Sequence, residues 1–293
     1  MKIAIYGQAY ENDTSVYILA LLDECKKATV DVYIEEELYN RLRALNSIDI
    51  YKTFSKDSGL DTSFKMFVSF GGDGTILRAV TFVRDMNIPI VGVNTGRLGF
   101  LSTLKKEEVR RVITDFIEGR YKIEERSLVE VSADFDIPEF KEYNFALNEV
   151  SISRKDTTSM ITVETYLNNE YLTSYWADGL IISTPTGSTG YSLSCGGPVI
   201  NPDVKSLVIT PIAPHNLNAR PLVISDDTLI RLKVFGREEQ HLVSLDSRIA
   251  SLDNEKEITV KKAGFTIKMI AYSSESFLET LRNKLLWGQD KRN

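Results

Sequence analysis

The chain has 293 residues, 43% of them apolar and 26% charged, so it can bury a substantial core and by its length holds one or two domains. With 41 acidic against 35 basic residues its formal net charge is −6, which argues against nucleic acid or an anionic membrane as the main partner and favours small-molecule chemistry. Cys25 and Cys195 lie far apart with no histidines in ligand spacing, so neither a disulfide framework nor a structural zinc site is indicated, as suits a reducing, cytoplasmic setting.

Lys2–Tyr6 reads as a short strand rather than an apolar signal core, and no apolar run approaches the roughly 20 residues that span a bilayer. An amphipathic stretch around Val16, Leu19, Leu22 and Cys25 follows. The alternation continues through Val30–Ile34, Ile48–Phe54, Met66–Phe70, a helix near Ile76–Arg84, Ile88–Val93 and a helix over Lys106–Glu118. This βαβ pattern predicts a parallel sheet covered on both faces.

After Gly119 the texture changes to strands rich in β-branched and aromatic residues: Leu128–Val131, Phe145–Ser153, Ile161–Leu167 and Leu180–Ser183. Asn168-Asn169 suggests a hairpin turn into Tyr171–Tyr175, and strands recur at Leu207–Thr210, Leu222–Ile224, Leu229–Phe235 and Phe265–Ile270. Phe277, Leu278, Leu281 and Leu285 then stand at helical spacing within Glu275–Trp287. The expected organisation is an α/β nucleotide-binding domain over 1–120 and an all-β sandwich over 121–274, with a terminal helix, 275–293, that returns to the first domain.

Gly71-Gly72-Asp73-Gly74-Thr75 joins an apolar strand to a helix. Its glycines let the backbone approach a ligand, the helix N-terminus offers unpaired N–H groups to phosphate, and Arg78 lies about one turn further on. The plain alternative is a tight turn with Asp73 capping the helix. The loop is neither Walker A nor Gly-x-Gly-x-x-Gly. Asp178-Gly179 and Thr184–Pro198, a long run of Gly, Ser and Thr around Tyr191, offer donors and acceptors at short range, and a loop of that length in a compact domain is often functional. Asn148-Glu149 interrupts apolar residues in a strand-like run, and read alone it suits a solvated strand edge. Tyr143 reads as core, and His215 and His241 form neither a metal cluster nor a triad signature.

Taken together, Gly71–Thr75, Asn94-Thr95-Gly96-Arg97-Leu98-Gly99-Phe100, Asn148-Glu149, Asp178-Gly179, Thr184–Pro198, Pro214–Leu222 and Val243-Ser244-Leu245-Asp246 resemble the NAD kinase family in order and spacing. The resemblance implies NAD bound between two domains, with neighbouring subunits completing the site in a homotetramer. It implies Asp73 as the general base that accepts the proton of the adenosine-ribose 2′-hydroxyl as that oxygen attacks the γ-phosphorus of ATP, giving NADP and ADP. Gly71, Gly72, Gly74, Thr75 and Arg78 would hold phosphates. Asn148 and Glu149 would bind the adenosine half, Thr189, Gly190 and Ser194 would line the adenine pocket, and Tyr191 would pack against the dinucleotide. Asp178 and Ala213 would belong to the nicotinamide end; Trp176, on the same side of an extended strand as Asp178, either borders the same cleft or packs against its own sheet. Magnesium would arrive with ATP, with no dedicated protein ligands. The chain departs from many members at Gly190, where alanine is common, and at Cys195, where alanine or a similar small residue is common; both changes are small. It departs again at Trp176, where many bacterial members carry a basic or small residue. A lipid kinase with the same glycine loop and a non-catalytic NADP-binding sensor are the competing functions; a basic amphipathic face for membranes is missing, and Asp73 is retained.

Overall fold

The computed structural model describes residues 1–7, 12–45, 48–56, 58–96, 98–156, 159–272 and 276–286. The chain divides into two compact units, Met1–Glu125 with Ile267–Asn293, and Arg126–Thr266.

The first unit is built on parallel strands β1 (Lys2–Gly7), β2 (Asp31–Glu35), β3 (Lys52–Phe54), β4 (Phe64–Phe70) and β5 (Ile90–Asn94), in the order β5-β4-β1-β2-β3. Phe64–Phe70 and Ile90–Asn94 are buried almost throughout, because helices cover a parallel sheet on both faces and continuous apolar runs replace alternation. The chain steps outward from β1 to β3 and then returns across β1 to β4. That makes β1 and β4 the switch point of the sheet, the place where open α/β sheets bind ligands beyond their strand C-termini. Gly7 and Gly71 stand there.

Helices α1 (Asn12–Lys27), α2 (Glu36–Leu45) and α3 (Asp73–Val83) flank these strands. In α1 the buried face is Ile18, Leu21, Leu22 and Cys25, whereas Val16, expected in the apolar stripe, is 60% exposed. The expected strand Ile48–Phe54 is ordered as a strand only over Lys52–Phe54. The sequence reading holds no counterpart of α2, whose Leu38, Tyr39 and Leu42 are the buried residues of an otherwise charged segment. The helix expected over Lys106–Glu118 is split, with a 3₁₀ turn at Lys106–Arg111 leading into Val112–Ile117. The last helix, Phe277–Leu285, sets the Phe277 ring 6.2 Å from that of Phe100 and buries Leu281, but Leu278 is exposed. The expected helix ends, Glu275 and Trp287, lie outside the described residues, as does Arg97.

The second unit contains a six-stranded antiparallel sheet in the order Leu222–Ser225, Ser206–Ile212, Gly179–Ser183, Glu149–Arg154, Gln240–Leu245, Arg248–Asp253. A second antiparallel set pairs Glu170–Ala177, Ile161–Leu167, Ile230–Phe235 and the start of the long strand Glu257–Ala271. Val150, Ile152, Leu180 and Val243 from the first meet Val163, Leu232, Ile258 and Val260 from the second in one core, the signature of a β-sandwich. Asn168 and Asn169 both take positive φ, 48° and 71°, as a two-residue hairpin turn demands. The expected strand Phe145–Ser153 is interrupted at Leu147 and Asn148, and the hairpin Gln240–Leu245/Arg248–Asp253 was not expected.

Candidate active site

In the first unit the glycine loop turns around Asp73. Gly71 has φ +150°, and a Cβ there would stand 2.2 Å from Thr75 Oγ1, so only glycine lets the strand turn so sharply into α3. Asp73 does not cap its helix: Gly72 is the N-cap, with no side-chain cap bond. The carboxylate instead crosses to the segment after β5, where Phe100 N–H donates to Oδ2 at 2.8 Å and Leu101 and Ser102 N–H donate to Oδ1 at 2.9 and 3.0 Å. Gly99 makes that approach possible, since a Cβ there would fall 1.8 Å from Oδ1. Ser102 Oγ closes the ring by donating to the Gly71 carbonyl at 2.7 Å. A carboxylate has about four acceptor sites, so one remains on Oδ2 for a substrate hydroxyl.

The second unit contains a similar device. Asp246, in the turn between Gln240–Leu245 and Arg248–Asp253, takes φ 52° and accepts N–H bonds from Leu147, Asn148 and Glu149 at 2.9, 2.9 and 3.2 Å. These bonds fix the break between the two strands and hold the Asn148-Glu149 pair. The pair is not on a solvated edge: Glu149–Arg154 lies between Gly179–Ser183 and Gln240–Leu245. Glu149 Oε2 is enclosed and without a hydrogen-bond partner in the structure. A Cβ on Gly190 would lie 3.3 Å from that oxygen and 3.6 Å from Asn148 Nδ2, so Asn148, Glu149 and Gly190 form one small cluster. Tyr191 joins it through a backbone N–H directed at the Glu149 carboxyl.

Burial pushes Glu149 up to about 8, the negative charge of Asp246 adds to the rise, and the Tyr191 N–H opposes it. The native state therefore holds an extra proton between the ordinary value of 4.5 and about 8, so this contribution to stability is lost as pH rises through that window. The Tm of the ligand-free protein is expected to fall from about pH 5 to about pH 8.5, and Glu149→Gln to flatten the fall. An unchanged slope in the variant would show that Glu149 is not the titrating group.

The Thr184–Pro198 segment is folded more tightly than an open loop. It contains a 3₁₀ turn at Thr186–Thr189 and one helical turn at Tyr191–Ser194. Many of its hydroxyls point inward rather than toward a ligand: Thr184 Oγ1 donates to the Leu147 carbonyl, Ser188 Oγ to that of Pro185, and Ser192 Oγ pairs with Thr210 Oγ1. Gly187 packs on Asn148, whose carbonyl oxygen lies 2.1 Å from where a Cβ would be. Tyr191 and Ser194 are exposed, as are Gly196 and Pro198, and Thr189 is half-buried.

Trp176, Asp178 and Ala213 are also brought together. Asp178 N–H donates to the Ile212 carbonyl, next to Ala213 at φ 43°, and its carboxylate pairs with Arg154 at 3.0 Å. Trp176 is 50% exposed, with its ring 4.2 Å from that of His215, so it is not packed into its own sheet. It borders a cavity of about 230 Å³ with Pro214, Asn216 and Arg220.

Residues 11–121 match the ATP-NAD kinase N-terminal domain and residues 147–272 the ATP-NAD kinase C-terminal domain. The chain is 60% identical to the NAD kinase of Flavobacterium johnsoniae and 39% identical to that of Bacteroides fragilis, in each case over the whole of both chains. The chain belongs to the ATP-NAD kinase family. Among solved structures, an NAD kinase from Archaeoglobus fulgidus in complex with ATP superposes with a TM-score of 0.73 at 26% identity, covering 97% of each chain. Yeast NADH kinase complexed with NADH has the same fold, with a TM-score of 0.85 at 23% identity over 99% of this chain and 89% of that one. The enzyme is a phosphotransferase with an α/β unit and a β-sandwich unit.

Three participants in this geometry could not be assigned from the residues alone. Arg154, the partner of Asp178, sits at a strand end with no motif around it. Asp246 closes the Val243–Asp246 motif, but nothing in that motif says that it binds amides 97 to 99 residues away, and an Asp in a hairpin turn reads locally as a turn former. Ser102 lies just beyond the Asn94–Phe100 motif. Its signal is only its nearness to Gly99.

Proposed function

We infer that the enzyme transfers the γ-phosphate of ATP to the 2′-hydroxyl of the adenosine ribose of NAD, with Asp73 as the general base. The observation that carries this is the Asp73 carboxylate, held by three N–H bonds at the mouth of a glycine loop with one acceptor site left over. The 2′-oxygen forms a bond to the γ-phosphorus as the bridging oxygen to ADP leaves, and the hydroxyl proton passes to Asp73 Oδ2. Transfer through a loose transition state depends on in-line placement and charge neutralisation more than on a strong base, so an ordinary carboxylate suffices. The N–H groups of Gly72 and Gly74 at the α3 N-terminus are assigned to phosphate oxygens, with Arg78 one turn further; the Thr75 N–H donates to the Gly72 carbonyl at 2.9 Å, which leaves its hydroxyl rather than its amide for a phosphate.

The Asn148, Glu149, Gly190 and Tyr191 cluster is assigned to the adenosine of NAD, with Thr189 and Ser194 at its rim. Asp178, Ala213 and Trp176 are assigned to the nicotinamide half. Magnesium enters as part of the donor, coordinated by its phosphates, a mode that needs no cage of protein ligands. A cytoplasmic homotetramer completes the reading. Two free cysteines suit a reducing compartment, and the edge strand Leu222–Ser225 exposes Leu222 and Val223, a surface suited to subunit pairing that light scattering would test. No helix among the described residues is long and apolar enough to cross a membrane. Incubating the purified protein with NAD, ATP and magnesium tests the activity: NADP is expected, and its absence across varied donors and metals would defeat the assignment.

Trp176 separates a ligand role from a packing role. Its half-exposed ring makes little core, so Trp176→Ala is expected to raise the KM for NAD several-fold while leaving the KM for ATP and the Tm nearly unchanged. A lowered Tm with both constants intact would assign the indole to packing on His215 instead.

A further inference from the structure

One polar cleft of the first unit is lined by residues that, Arg78 apart, have no part in the assignments above. It encloses about 80 Å³ and is lined by the polar and charged Tyr6, Glu35, Glu37, Arg41 and Arg78, together with Gly7 and Leu38. Gly7 ends β1 and Glu35 ends β2, so the cleft opens at strand C-termini beside the switch point. In dinucleotide-binding βαβ units an acidic residue at the end of the second strand accepts hydrogen bonds from ribose hydroxyls. Glu35 occupies that place. Its Oε2 accepts the Leu38 N–H at 2.9 Å at the start of α2, which orients the carboxylate and leaves Oε1 available to a ligand. Arg41 is ion-paired with Glu37, and Arg78 projects from α3 into the same cleft.

We propose that this cleft takes the ribose diol of the phosphoryl donor, with Glu35 accepting from its hydroxyls and Arg78 lying against the phosphates that lead to the glycine loop. The proposal rests on the kinase reading and extends it to the donor. The first loop, Gly7-Gln8-Ala9-Tyr10-Glu11-Asn12, is not a Gly-x-Gly-x-x-Gly, whereas the loop after β4 has the glycines and helix N-terminus that phosphate needs. β2 stands two strand spacings from β4, about 10 Å, within the reach of a nucleotide whose ribose is at one strand and whose terminal phosphate is at the other. The volume, on the order of two or three water molecules, suits the edge of a furanose and not a purine, so the base is left outside. Arg78 joins the two regions because it lines the cleft and belongs to the helix that begins at Asp73. NAD also carries ribose diols, so the test must separate donor from acceptor.

The experiment compares ATP with 2′,3′-dideoxy-ATP as donor, in the wild type and in Glu35→Gln, which keeps an oxygen for the Leu38 N–H. The wild type is expected to show a KM for dideoxy-ATP roughly 10- to 100-fold above that for ATP, the worth of hydrogen bonds to a charged group. Glu35→Gln should raise the KM for ATP by a similar factor, change that for dideoxy-ATP less than about twofold, and leave the KM for NAD and the Tm in place. A wild type indifferent to the missing hydroxyls would overturn the proposal. So would a Glu35→Gln effect equal for both donors, or one falling on NAD. No NADP from either donor would defeat the kinase reading itself, and this proposal with it.

Discussion

Asp73→Asn is expected to lower kcat by about 10²- to 10⁴-fold, the usual worth of a general base, while NAD still binds with near wild-type Kd. The amide is close in shape to the carboxylate but cannot take the proton of the attacking hydroxyl. It also faces the N–H groups of Phe100, Leu101 and Ser102 with one acceptor oxygen instead of two, so a loosened loop contributes part of the loss. Ser102→Ala separates these effects. It removes the hydroxyl bond to the Gly71 carbonyl while sparing the Asp73 carboxylate, and should cost far less than Asp73→Asn. If Asp73→Asn kept most of its kcat, Asp73 would be a loop anchor and nothing more.

Asp246→Ala is expected to be the most damaging substitution for the sandwich unit. Its carboxyl is enclosed, and removing it strips the acceptor from three neighbouring backbone N–H groups at once. A buried donor left unsatisfied costs about 1–3 kcal/mol, so a loss on the order of 3 kcal/mol or more and a fall in Tm of roughly 6 to 12 °C are expected. Because Leu147–Glu149 presents the proposed adenosine-binding pair, the KM for NAD should rise as well. Asp246→Asn adds a readout that a structural role alone would not move. Removing the negative charge takes away one cause of the raised Glu149 value, so the pH dependence associated with Glu149 should shift downward. Unchanged Tm and KM in Asp246→Ala would mean that other contacts hold the strand break.

The architecture was legible where one period ruled a segment. Phe64–Phe70 and Ile90–Asn94 announce a sheet buried on both faces, and Ile161–Leu167 with Asn168-Asn169 announces a hairpin, because apolar runs and positive-φ residues carry that information locally. The helix α2 was not legible, since three buried residues in a charged segment give a weak stripe. Val16 misled for the opposite reason: it is an apolar residue at the correct spacing that the packing leaves outside. The chain passes from the first unit to the second within Lys122–Ala133, a few residues beyond the change of texture at Gly119, and returns within Glu257–Ala271, an uninterrupted strand that gives no local sign of the passage.

In the site, the residue types were visible and their partners were not. Gly71-Gly72-Asp73 signals a phosphate loop through glycine freedom and helix start, yet nothing local says that Asp73 turns away from its own helix to amides 27 to 29 residues on. The Thr184–Pro198 segment looked like a palette of ligand donors because of its hydroxyls. Many of those hydroxyls hold the segment itself together, leaving the backbone turn at Gly190 and Tyr191 to shape the pocket. Side-chain direction inside an irregular segment depends on tertiary neighbours, which composition does not encode.

The central claim is tested most directly by following the phosphorus. In a single turnover with ATP labelled in its γ-phosphate and excess NAD and magnesium, the label is expected in the 2′-phosphate of NADP for the wild type, with transfer slowed by about 10² to 10⁴ in Asp73→Asn. Label recovered only as inorganic phosphate, at the 3′-position, or at an equal rate in both proteins would contradict the account.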